Sequence, residues 1–193
     1  MHELWISVEK IEGVCSSERP MGFGTGFLVR NGRLAFPKGG PICLFALQSI
    51  LPLIPAKERI LDDDLAADWM AQVHLVQCPD PAGRTQWHIE QRAMGSTRLD
   101  SPALPEPAPG DLKIFVESIG GRCSEGMQVG HWALLRDSSL YLAQPFCIYA
   151  LQAVLPMLPA MIRPLQPDDW MATENAFICP DPLGNVILRV EKI

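Results

Sequence analysis

Six cysteines are the residues of this 193-residue chain best suited to chemistry, and they recur in pairs. Cys15 is matched by Cys123, Cys43 by Cys147 and Cys78 by Cys179. Cys15 and Cys123 stand at the end of a strand pattern beside glycines, where backbone can approach a ligand closely. Cys78 and Cys179 close a strand pattern just before a rigid Pro-Asp-Pro turn, a good place to hold a side chain still. These two types are the preferred functional thiols. Cys43 and Cys147 fall inside an apolar helical run, where cysteine equally serves as a small core residue.

Two chemistries suit such thiols. In the first, Cys123, His131 and Cys179 form a catalytic set. His131 follows Cys123 with Gly126 and Gly130 between them, so a hairpin could bring the pair together. A Cys–His couple lowers the thiol pKa and supplies a nucleophile or an acid/base pair. A histidine on an exposed strand is the plain alternative. In the second chemistry, Cys15, Cys78, Cys123 and Cys179 are metal ligands, and thiolates would select Zn, Cu(I) or an iron–sulfur cluster over Mg or Ca. The closely spaced cysteine pairs of zinc knuckles and iron–sulfur motifs are missing, so the ligands would have to converge from distant segments. No histidine repeats: His74 aligns with Asn175, His88 with Arg189 and His131 with Phe27.

The carboxylates have structural readings. Asp80 and Asp181 sit in Pro-Asp-Pro-x-Gly turns, which an Asp side chain can cap. Asp68 and Asp169 precede Trp-Met and can cap a short helix. The repeated Trp69 and Trp170 are expected to anchor the core or the module interface. The run Asp62-Asp63-Asp64, absent from the second copy, reads as a solvated loop or helix start. No phosphate-binding loop, dinucleotide fingerprint, nucleophile elbow or HExxH motif occurs.

The elements that must position these residues come in duplicate. Glu3 to Cys15 (ELWISVEKIEGVC) matches Asp111 to Cys123 (DLKIFVESIGGRC), and PICLFALQ from Pro41 matches PFCIYALQ from Pro145. Asp-Trp-Met-Ala recurs at Asp68 and Asp169, and Cys-Pro-Asp-Pro at Cys78 and Cys179, all in the same order. The modules span 1–92 and 111–193, joined by a linker over 93–110 whose prolines favour an extended, semi-rigid path. Leu4–Glu9 and Leu112–Glu117 read as strands, followed by strands near Gly26 to Arg30 and Gly130 to Leu135. Ile42 to Leu51 and Phe146 to Leu155 read as buried short helices, ended or kinked by Pro52 and Pro156. Val73–Cys78 with Gln86–Ile89, and Ala176–Cys179 with Val186–Val190, read as hairpins around the turns. The fold class is α+β: two homologous modules, each a small, mainly antiparallel sheet with one main short helix. Modules so small are marginal alone, so they should pack as a pseudo-two-fold dimer.

Composition bounds the class. Hydrophobic residues make up 48% and charged residues 20%, enough apolar surface to exclude intrinsic disorder. A net charge of −6 disfavours nucleic acid and anionic membrane surfaces as partners. No segment reaches the ~18 apolar residues of a membrane span, and the N-terminus lacks the pattern of a signal peptide. A cytoplasmic location is expected, with the cysteines as thiols, ligands or redox groups rather than structural disulfides.

The combined pattern G-x-C, V-G, C-x-x-A-x-x-x-L-x-P and C-P-D-P resembles an uncharacterised family of small prokaryotic proteins, usually one module long. The matching residues are Gly13, Cys15, Gly26, Cys43, Ala46, Pro52 and Cys78-Pro79-Asp80-Pro81, then Gly121, Cys123, Val129-Gly130, Cys147, Ala150, Pro156 and Cys179-Pro180-Asp181-Pro182. The family usually carries an acidic residue after the V-G glycine, where this alignment places Phe27 and His131. The resemblance implies no activity. From the residues themselves, the expected function is a small-molecule-binding protein or enzyme with a cysteine-centred site. The alternatives are a transition-metal or redox protein and a structural interaction module.

Overall fold

The computed structural model describes residues 2–37, 40–59, 68–100 and 102–193; the acidic run Asp62-Asp63-Asp64 lies outside them. The first half contributes strands β1 (His2–Lys10), β2 (Gly26–Arg30), β3 (Arg33–Ala35), β4 (Ile42–Cys43), β5 (Leu75–Gln77) and β6 (Gln86–Ala93). The second contributes β7 (Leu112–Ile119), β8 (Trp132–Arg136), β9 (Ser139–Leu142), β10 (Phe146–Cys147), β11 (Ala176–Ile178) and β12 (Val186–Lys192). Two six-stranded antiparallel sheets result, in the orders β10-β3-β2-β1-β6-β5 and β11-β12-β7-β8-β9-β4. The alternation of apolar and polar residues in β1 puts Leu4, Ile6 and Val8 on the buried face, as it puts Leu112, Ile114 and Val116 of β7.

Each sheet ends on a strand from the other half. Ile42 and Cys43 pair with Leu140 and Ser139, while Phe146 and Cys147 pair with Leu34 and Arg33. The exchange continues into the loops: Leu44 N–H donates to the Ser138 carbonyl at 2.8 Å, and Ile148 N–H to the Gly32 carbonyl at 2.9 Å. Beyond the strands run helices α1 (Leu44–Ile50) and α3 (Ile148–Val154). Gln48 donates from Nε2 to the Leu155 carbonyl at 2.8 Å, and Gln152 to the Leu51 carbonyl at 3.0 Å. Such reciprocal contacts define a pseudo-two-fold pair, and one apolar cluster takes residues from both halves.

The helices begin later than the apolar run suggests, because Ile42-Cys43 and Phe146-Cys147 are strand. A two-residue strand inside a continuous apolar segment leaves no periodicity of its own; only its partner in the other half defines it. Short helices α2 (Ile54–Lys57), α4 (Leu158–Met161) and α5 (Trp170–Thr173) and 3-10 turns over Leu51–Leu53 and Trp69–Gln72 are the remaining helical elements among the described residues. Asp68 and Asp169 cap as expected, each Oδ1 accepting from the N–H two residues on, at 2.9 Å. The tryptophans beside them do not anchor the core: Trp69 is 67% and Trp170 56% exposed. Each stands in a short element that directly precedes an edge strand, β5 or β11.

Strand register also corrects the internal alignment. Val8 N–H donates to Thr25 O and Gly24 N–H to Val8 O, just as Val116 N–H donates to His131 O and Gly130 N–H to Val116 O. The structural counterpart of His131 is therefore Thr25, and that of Gly130 is Gly24.

Candidate cysteine site

The G-x-C segment and the Pro-Asp-Pro turn are zipped together in each half. Gly13 N–H donates to Gly83 O at 3.2 Å and Val14 N–H to Ala82 O at 3.1 Å; Gly121 and Arg122 donate likewise to Gly184 and Leu183, at 3.1 and 2.9 Å. The contact requires glycine. A Cβ on Gly13 would lie 2.0 Å from the Ala82 oxygen, one on Gly121 2.1 Å from the Leu183 oxygen, and one on Gly83 2.8 Å from Cys15 Cα.

The Asp of the turn completes the clamp. Asp80 accepts from Ala82 N–H at 3.0 Å, from Ser16 N–H at 2.8 Å and from Ser16 Oγ at 2.9 Å. Asp181 accepts from Leu183 N–H at 3.0 Å and from Ser124 Oγ at 3.3 Å. The Ser16 N–H foremost holds Asp80 below the usual carboxylate range, as the Leu183 N–H does Asp181. Both aspartates are thus structural, and they tie each G-x-C cysteine to its C-P-D-P partner.

In the first half this arrangement opens a cavity of about 280 Å³ lined by Cys15, Cys43 and Cys78, with Ser16, Ser17, Phe45, Pro79, Asp80 and Ser138 around them. Cys15 and Cys78 line one cavity, and Cys43 joins them. Cys43 reaches the cavity because it ends β4 and caps α1, a position its apolar surroundings in sequence do not reveal. Ser138 belongs to the other half. It sits on the β8–β9 turn that strand exchange delivers to this site, with Ser17 Oγ and Ser138 Oγ 3.1 Å apart. Burial pushes the Cys43 and Cys78 thiols above their ordinary pKa, with backbone N–H groups opposing it in part. At neutral pH both are uncharged.

The second half repeats the frame with different contents. Glu125 stands where the first half has Ser17, and Gly32 where it has Ser138. A Cβ on Gly32 would come 3.1 Å from the Glu125 carboxylate, so glycine leaves room for it. Gly32 also has φ +69, in the left-handed region that a two-residue hairpin turn requires. Tyr149 replaces Phe45, and its hydroxyl accepts from Arg59 Nη2 at 3.2 Å. Burial first, then Glu58, raises the Glu125 pKa against the pull of Arg33 and Arg59.

Side-chain hydrogen bonding with the Cys147 thiol, aided by the Asp181 N–H, lowers the Cys179 pKa to about 7 against the cost of burial. The same thiol bond, together with burial, raises Cys147, while the N–H groups of Ala150 and Tyr149 oppose the rise. The first proton lost therefore belongs to the pair.

Cys123 is half-buried against the core, with its Cα 3.2 Å from a Cβ placed on Gly184. His131 Nδ1 accepts the Gln128 N–H at 3.3 Å, and burial and then the Arg33 charge lower its pKa. The imidazole thus sits against Gln128 and within the field of Arg33. All six cysteines are free, and among the described residues no group of three or more His, Cys, Asp or Glu side chains is placed to hold a metal ion. No helix of the described residues is long and apolar enough to cross a membrane. The chain matches no protein-family model, no curated protein and no solved structure.

Proposed function

We propose that the chain is a small-molecule-binding protein whose cysteine-centred site is the first-half cavity, and that its ligand is small, largely apolar and carries a soft or electrophilic centre. The carrying observation is that Cys15, Cys43 and Cys78, from three separate segments, open onto one cavity of about 280 Å³. Ligand pockets combine a mostly apolar wall with a few placed polar groups, and Phe45 and Pro79 with Ser17, Ser138 and Asp80 make such a wall here. Uncharged, polarizable thiols favour a soft centre over a hard cation. The site needs both halves, since Ser138 closes it.

A trivalent arsenical, phenylarsine oxide, tests the reading because it binds neighbouring thiols and is of suitable size. Native mass spectrometry of the reduced full chain should show uptake of one phenylarsenic group with loss of water, which peptide mapping assigns to two thiols of the set Cys15, Cys43 and Cys78. The Cys15→Ser/Cys78→Ser variant should lose that uptake while remaining folded. A folded wild-type protein that leaves all three thiols unoccupied would overturn the reading.

A further inference from the structure

A second cavity of the first half, of about 410 Å³, is lined by Lys57, Ala71, His74, His88 and Glu90 among others, and shares no lining residue with the cysteine cavity. Lys57 is its unusual member. The side chain is only 2% exposed, and its Nζ donates to the carbonyls of Val73 at 2.6 Å, Met70 at 2.9 Å and Ala71 at 3.5 Å. Among the described residues none of its hydrogen bonds goes to a carboxylate. Asp68 acts on it as a charge, opposing the fall in pKa that burial causes. The slack bond is the one to Ala71, which itself lines the cavity, so that N–H is the one a ligand can take over.

Burying an ammonium without a counter-charge is costly, and the fold does not require it. Leu158–Met161 repeats Ile54–Lys57, and there a buried methionine stands in place of the lysine. The imidazoles are particular to the first half as well. Leu75 pairs with His88 as Ala176 pairs with Arg189, and Ile89 N–H donates to His74 O as Val190 N–H donates to Asn175 O. Arg189 bonds to Asn175 at 2.6 Å and to Glu117 at 2.6 and 2.9 Å, so those groups satisfy one another. His74 and His88 instead stand with ring centroids 6.5 Å apart at the cavity they line. Glu90 brings a negative charge to the same wall, but Arg92 holds its Oε2 at 2.6 and 2.9 Å and neutralises it.

We propose that this cavity binds the phosphoryl group of a small phosphate monoester, with Lys57, His74 and His88 as its donors. Three donors from three segments, namely α2, the lead-in to β5, and β6, match the three terminal oxygens of such a group. Gln72 and Gln91, on the same lining, suit hydroxyls on the organic part of the ester. The volume falls within the range of small-molecule sites.

The test is a titration of the full chain with inorganic phosphate at constant ionic strength, read from backbone amide NMR shifts. Expected are saturable shifts centred on Ala71, Gln72, His74 and Ile89 to Gln91. Lys57→Met, which installs the side chain the second half carries, should weaken binding about tenfold or more. If that variant does not fold, His74→Asn/His88→Asn decides with Lys57 in place, and should also weaken binding about tenfold. Acetate, with one charge and two oxygens, should bind more weakly than phosphate. Shifts that do not saturate, affinity unchanged in the folded variants, or acetate binding as tightly as phosphate would overturn the proposal. Arsenical uptake reports on the cysteine cavity alone, so the two readings fail separately.

Discussion

Replacing Glu3 with Gln should remove a charge clamp, and the loss should depend on pH in a calculable way. The Glu3 side chain is fully buried and accepts from Arg30 Nε at 2.9 Å, Gly95 N–H at 2.8 Å, Ser96 Oγ at 3.1 Å and Thr97 N–H at 2.7 Å. Burial alone would raise its pKa, yet the Thr97, Gly95 and Arg30 donors outweigh it and bring the group down to about 2, from 4.5. Because the folded pKa is depressed, the stabilisation is complete above the unfolded value and lost as pH falls through the folded one. The shift corresponds to about 3 kcal/mol at pH 7, falling to about 2 kcal/mol at pH 3.5 and about 1 kcal/mol at pH 2.5. Urea unfolding of wild type and Glu3→Gln at these three pH values measures it. The difference between the two proteins should narrow by about 2 kcal/mol from pH 7 to pH 2.5; other carboxylates contribute to both proteins and cancel. A difference that stays constant with pH would refute the reasoning. The clamp pins residues 95–97 to β1, and the Asp111–Arg136 pair, with Ala108 N–H on Asp111 Oδ2 at 2.8 Å, does the same at the connector's other end.

Three further outcomes are expected. Gly121→Ala forces a Cβ to within 2.1 Å of a backbone oxygen, so it should cost at least ~1–3 kcal/mol in thermal unfolding and raise Cys123 alkylation. Cutting the connector between Pro105 and Glu106 should leave halves that fold poorly alone, because β4 and β10 lose their partners; circular dichroism of the mixed fragments should recover what the separate ones lack. The pH dependence of iodoacetamide labelling should show a midpoint near 7 for Cys179 and one above the ordinary thiol range for Cys78, whose pKa burial raises. Coincident midpoints would refute the difference drawn between the halves.

Much of the fold is legible in the sequence because it is written twice. The strands β1 and β7, both hairpins and the helix caps follow from alternation, turn chemistry and Asp-Trp-Met. The strand exchange is not legible, because Ile42-Cys43 and Phe146-Cys147 are too short to interrupt an apolar run. Ser138 is missed for the same reason, since only the exchange carries it to Cys15, Cys43 and Cys78. His131 misleads because two residues of offset in the glycine loop align it with Phe27 rather than Thr25. Trp69 and Trp170 mislead because repetition resembles burial, whereas both rings lie exposed in short elements that precede edge strands. The approach of Cys15 to the C-P-D-P turn is readable, because Cys15 closes one strand, Cys78 ends another before a fixed turn, and glycines leave room where those ends meet.

The central claim is that Cys15, Cys43 and Cys78, from three separate segments, open onto one cavity in the first half. Dibromobimane tests it directly, since it becomes fluorescent only when two neighbouring thiols displace both bromines. The account predicts fluorescent bridges within the set Cys15, Cys43 and Cys78, located by peptide mapping of the reduced native protein. Single alkylation without fluorescence, or bridges joining a cysteine of one half to a cysteine of the other, would contradict it.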